Sequence, residues 1–142
     1  MNSFTQEKKE LDSLWSETIK ARDKRCMICG GPAEDAHHSI VRRMSNKTRW
    51  HLLNGFAVCR KCHILIHCGK LKNKVMDAIG KIATKEQQAA IKLQGHEIWS
   101  IHKGWLDHQR DYLCRILNQL KSNTILTTAS NAVEPGNAQS ME

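Results

Sequence analysis

The chain has 142 residues, 40% hydrophobic and 25% charged, with a formal net charge of +8 and a mean hydropathy of −0.53. That length allows one compact domain plus tails. No apolar run approaches the roughly 20 residues needed to cross a bilayer, so a membrane-spanning helix is not expected. A thiol-rich chain without an export signal fits a reducing cytoplasm.

Residues 5–22 read as the first helix, within an N-terminal part bounded at 1–24. Leu11, Leu14, Trp15 and Ile19 follow the i, i+3, i+4, i+8 rhythm of one buried face, with Thr18 beside it. The charges through Lys24 cancel, five acidic against five basic. That balance argues for a scaffold helix packed on the core of the domain, more than for a nucleic-acid-binding arm.

Residues 25–70 form the central segment. Cys26-x-x-Cys29 and Cys59-x-x-Cys62 each make a turn that aims two thiolates at one ion, and together they complete a tetrahedral structural Zn²⁺ site. Gly30 and Gly31 ease the tight backbone of the first turn. Disulfides or a redox motif are the competing reading, disfavoured because a redox Cys-x-x-Cys usually occurs once, inside a βαβ pattern. The stretch between the pairs exceeds the roughly 15–20 residues of an ordinary two-knuckle site. It therefore has to contain something more.

Residues 35–42 read as a short strand in which the adjacent His37 and His38 point in different directions and do not share one job. Residues 52–59 read as a second strand, with Asn54-Gly55 permitting a bend near its start. After Cys62 the chain continues as a helix, on which His63 and His67 share a face at the i, i+4 spacing of two imidazoles on one metal. The product is a small α+β arrangement, strand–loop–strand–helix around metal, pinned at both ends by zinc.

This segment resembles the HNH (ββα-metal) endonuclease superfamily, in the subset stapled by a four-cysteine zinc. The run LDSLWSETIKARDKRCMICGG with AHHSIVRR, TRW, LN and CRKCH is similar to phage recombination nucleases of the NinG/Rap type, over residues 11–70. The resemblance implies a general base at His38, ligands of a catalytic divalent ion at His37, His63 and His67, and at Asn54 a residue bracing the loop and orienting the base. His37 stands where many members carry Asp. An imidazole-rich ligand set suits Zn²⁺, Ni²⁺ or Mn²⁺ better than Mg²⁺.

The chemistry agrees with the resemblance. Hydrolysis of a phosphodiester needs a base for the water and a cation for the charge building on phosphate. A neutral imidazole and one divalent ion supply both near pH 7.

From Arg25 to Gly80 ten Lys/Arg stand against three Asp/Glu, which is most of the net charge. Arg42, Arg43, Lys47 and Arg49 cluster between the strands, and Lys70, Lys72 and Lys74 follow the second. These seven read as a phosphate-binding rim whose affinity falls with salt. Trp50 is expected in the core. His51, His96, His102 and His108 lack ligand spacing, and Cys68 and Cys114 read as small buried thiols.

Residues 71–121 read as helices: one over 71–82, one from Thr84 through about Ile101, and one from Trp105 to Leu120. Three uses stay open for them: packing on the first helix, extending DNA contact, or forming a homodimer interface. Residues 122–142 are polar, without a sustained period, and read as a disordered tail.

Taken together, the sequence points to a cytoplasmic, zinc-stabilised DNA endonuclease, acting in a host cytoplasm if phage-encoded. It would hydrolyse duplex or branched DNA with one catalytic divalent ion (Mg²⁺, Mn²⁺, Ni²⁺ or Zn²⁺). The rival is a non-catalytic zinc module that binds DNA or a protein with the same cysteines and cations.

Overall fold

The computed structural model describes residues 3–40, 42 and 44–138, with 124–138 as backbone only. Five helices and one two-stranded antiparallel sheet are described, a small α+β fold. Among the described residues no helix is long and apolar enough to cross a membrane.

Helix α1 (Phe4–Asp23) starts at Ser3, whose Oγ accepts the Gln6 N–H, and buries Leu11, Trp15, Thr18 and Ile19 along one face. Its C-terminal end is fastened to the sheet. The Arg22 guanidinium donates to the Leu52 and Gly55 carbonyls, and the Asp23 carboxylate accepts the Ala57 N–H at 2.8 Å.

Strand β1 (Asp35–His38) pairs with β2 (Gly55–Val58), in register Asp35–Val58, Ala36–Ala57, His37–Phe56 and His38–Gly55. Both strands are shorter than expected from 35–42 and 52–59. The reason lies in Asn54: its backbone carbonyl takes the Ser39 N–H, and its side-chain oxygen takes the Ile40 N–H at 2.7 Å. A side chain thus replaces the next rung of the ladder, and the chain turns away.

All four residues of β2 are buried, and the alternation of its side chains divides the core. Ala57 joins Leu11, Trp15, Ile19, Trp50, Leu106 and Leu113, while Phe56 and Val58 join Cys26, Cys59, Cys62 and Ala78. Trp50 therefore lies in the core.

Helix α2 (Arg60–His67) follows directly, capped by the Cys59 sulfur. Helix α3 (Lys72–Ile82) covers the second cluster through Ala78, Val75 and Ile79. Helix α4 (Lys85–Gly95) starts with a reciprocal Thr84–Gln87 capping box. It stops at Gly95, short of the expected Ile101, because glycine is a poor helix former and His96 already caps the end.

Helix α5 (Lys103–Ala138) packs along α1 through Leu106 and Leu113, and Lys103 donates to Glu7 at 2.7 Å. Of the three uses open for this region, packing on the first helix is the one seen. The helix also runs into the stretch expected as a tail, of which residues 139–142 lie outside the described residues.

Candidate metal centres

The four cysteines of the two knuckles converge. Their ligand atoms all lie within 4.8 Å of one another, and the Cys29 and Cys59 sulfurs are 3.7 Å apart. A tetrahedral ion with Zn–S bonds of about 2.3 Å separates its sulfurs by about 3.8 Å. No cysteine forms a disulfide.

The local backbone explains the convergence. Gly30, at φ +76°, lets its N–H return to the Cys26 carbonyl, and the Gly31 N–H points at the Cys29 sulfur at 3.4 Å. In the second knuckle the start of α2 points the Cys62 N–H at the Cys59 sulfur, also at 3.4 Å.

Burial and the three neighbouring sulfurs push the Cys62 thiol well above its ordinary value. Burial also raises Cys26, but hydrogen bonds from the knuckle backbone outweigh it and bring that thiol down to about 7. Four thiols this close do not all ionise unaided, so the cluster is built for a cation. These cysteines are positioned to hold a metal and fit a structural Zn²⁺. Cys68 and Cys114 belong to neither cluster and are exposed, against expectation: one caps the end of α2 and the other lies on the outer face of α5.

A second group lies across the hairpin. His37, on β1, faces His63 and His67, on α2, with ring centroids 5.6 and 5.4 Å away. The Nε2 atoms of His63 and His67 are 3.0 Å apart, and all three imidazoles offer a ligand atom within 4.8 Å. Two metal–nitrogen bonds of about 2.0–2.1 Å span about 3.0–3.4 Å.

Two further observations fit a cation here. His37 Nδ1 is buried and has no hydrogen-bond partner. Asp35, which opens β1, accepts a hydrogen bond from His63 Nδ1 at 3.3 Å. That bond places the His63 proton on Nδ1 and leaves the Nε2 lone pair facing His67, the arrangement seen behind metal-bound histidines. Burial, followed by the neighbouring His63, His67 and His38, lowers His37 to about 4, so it is neutral and able to ligate at pH 7.

His38 points to a different neighbour from His37, as alternation along a strand requires. Its ring stacks on Trp15 at 3.8 Å, nearly parallel, and its Nε2 lies 2.9 Å from the Arg49 carbonyl oxygen. A carbonyl only accepts, so Nε2 carries the proton and the neutral ring keeps its lone pair on Nδ1. Burial lowers His38, against the Arg49 bond and Asp12, which raise it.

His37 and His38 nevertheless meet at one pocket of about 710 Å³, lined by Asp12, Trp15, Ser16, Ala36, His37, His38, Arg42, His63 and His67. Trp15, stacked on His38, lines the same opening.

Asn54 does not line the pocket. It is fully buried, and its amide nitrogen donates to the Ile40 and Thr48 carbonyls at 3.1 and 3.0 Å. The expected cationic rim divides. Arg42 and Arg49 both bond Asp12, and Lys47 bonds Glu97. Lys70, Lys72 and Lys74 are exposed, with no salt bridge among the described residues. Arg43 lies outside the described residues.

Asp12 and Asp35 are the residues that sequence reasoning missed. Asp12 is hidden in a charge-balanced helix, where its carboxylate looks like any solvated one. Asp35 carries no local signal either, because the histidine it backs, His63, lies 28 residues further along the chain.

Comparison with known protein families, curated proteins and solved structures finds no match to this chain.

Proposed function

We propose that the chain is a metal-dependent DNA endonuclease of the HNH, ββα-metal type. One observation carries the reading: an imidazole with a free ring nitrogen and three imidazoles able to hold one ion open onto the same pocket. The order strand, loop, strand, helix and the resemblance of residues 11–70 support it.

In this reading His37, His63 and His67 hold a divalent ion, which neutralises charge developing on the phosphate when bound. His38 accepts a proton from the attacking water at Nδ1, while its Nε2–H stays on the Arg49 carbonyl. Asp35 orients His63, and Trp15 fixes the plane of the His38 ring. Arg42 at the pocket mouth, with Lys70, Lys72 and Lys74, steers the anionic backbone. Products with 5′-phosphate and 3′-hydroxyl ends, and a preference for branched DNA, are what the resemblance implies.

The decisive experiment is a nicking assay on supercoiled plasmid, four-way junctions and RNA with Mg²⁺, Mn²⁺, Ni²⁺ or Zn²⁺. His38→Ala should keep both metals and the fold but lose about 10²–10⁴ in rate. Binding without cleavage by the unmodified protein under every metal would instead identify a non-catalytic zinc module.

A further inference from the structure

We propose that Asp12, on α1, is a positioning residue for His38: its carboxylate fixes the peptide group whose carbonyl holds the His38 ring. The kinetic part of this inference rests on the nuclease reading, and the geometric part does not.

The carboxylate makes four hydrogen bonds. Its Oδ1 accepts from Arg49 Nε at 2.9 Å and from the Trp50 indole N–H at 3.0 Å. Its Oδ2 accepts from Arg49 Nη2 at 2.6 Å and from Arg42 Nη1 at 2.9 Å. Arg49 and Trp50 are consecutive, and the peptide between them carries the Arg49 carbonyl. One carboxylate therefore ties down the side chains on both sides of the group that bonds His38 Nε2. The two-pronged Arg49 contact adds a fixed orientation that a single bond lacks.

The same helix secures the other two sides of the arrangement. Trp15, three residues along α1, lies flat against the His38 ring, and its own indole N–H donates to the His51 carbonyl at 3.0 Å. Residues 49, 50 and 51 are thus each held by α1, and α1 also supplies the surface against which His38 lies. A ring fixed by one face and one nitrogen has little freedom, and its remaining nitrogen keeps a single direction.

Two simpler roles for Asp12 make different demands. If it only neutralised arginines beside an anionic substrate, losing its charge would tighten DNA binding and leave turnover alone. If it only stabilised the fold, the folded fraction would turn over normally. The two arginines also differ: Arg42 makes one contact through a side chain 59% exposed, whereas the Arg49 side chain is 15% exposed. Arg42 is free to exchange Asp12 for a phosphate, and Arg49 is the fixed member.

The test uses Asp12→Asn and Arg49→Met in the zinc-loaded full chain, with zinc content and circular dichroism confirming the fold. NMR of the ring nitrogens reads the His38 Nε2–H directly, with or without activity. In the unmodified protein this proton should be protected from exchange, and both variants should lose that protection by about tenfold or more. In single turnovers with enzyme varied in excess over DNA, both should lose roughly 10- to 100-fold in the maximal cleavage rate, with the half-saturating concentration moved less than about threefold. Arg42→Ala should act mainly on the half-saturating concentration.

The double variant should be no worse than the more damaging single one, because both act on the same brace. Unchanged protection of the His38 ring proton, a change in the half-saturating concentration alone, or losses that multiply would each overturn the proposal. If the unmodified protein cuts no nucleic acid, the nuclease reading falls while the ring-proton measurement still decides the role of Asp12. If Asp12→Asn does not fold, Arg49→Met carries the same test, since it leaves the Asp12–Trp50 contact in place.

Discussion

Asn54 is fully buried, and its carboxamide closes a loop that no apolar side chain could close. Its oxygen accepts the Ile40 N–H, and its nitrogen donates to the Ile40 and Thr48 carbonyls. Thr48 directly precedes Arg49, whose carbonyl meets His38. Asn54→Asp keeps the shape but replaces both N–H groups with an oxygen facing two carbonyls. It should destabilise the zinc-loaded protein by roughly 3–5 kcal/mol, measured by urea unfolding; an unchanged midpoint would disprove this account of the loop. In the sequence, Asn54-Gly55 is visible as a special dipeptide, but which backbone groups the amide satisfies is not, because they lie up to 14 residues away.

Among the elements, β2 is the one against which the others are measured. Its first residue, Gly55, sits where an added Cβ would come 2.5 Å from the His37 carbonyl oxygen and 2.5 Å from the Trp15 ring. Trp15 is buried and bonded at its indole nitrogen, and the carbonyl belongs to the paired strand, so neither gives way easily. Gly55→Ala should therefore cost about 2–3 kcal/mol in urea unfolding, from overpacking. Gly80, in the last turn of α3, meets nothing within 4 Å. The matched Gly80→Ala should gain about 0.5–1 kcal/mol, because a helical glycine loses more backbone freedom on folding than alanine does. Equal effects at the two positions would show that close approach to Trp15 does not decide the role of Gly55. The helical period located α1, α3 and α5 in the sequence. It overextended α4, since the apolar points beyond Gly95 belong to an irregular segment whose Trp99 carbonyl is held by Asn46.

For the molecule as a whole, the two halves of the core rest on different forces. The α1–α5 side is a packed apolar cluster. The other side depends on two strands of four residues each, too short to be stable alone. There, Cys26, Cys29, Cys59 and Cys62 are positioned to hold a metal, and an ion bound by them would couple its binding to folding. Cys59→Ser should remove about one equivalent of zinc per chain, and hydrogen exchange should then show β2 amides losing protection well before those of α1. Retained zinc, or uniform loss of protection across both elements, would contradict that division.

By itself the sequence determined the candidate sulfur and imidazole ligand types, their spacing and the helical faces, because these depend on residues close together along the chain. Only the tertiary structure decided that α1 lends Asp12 and Trp15 to the pocket, that Asp35 backs His63, and that Arg42 and Arg49 are paired rather than free. Those arrangements depend on which distant groups folding brings within hydrogen-bond range, and a half-buried carboxylate paired with two arginines has the same letter in the sequence as one left in water.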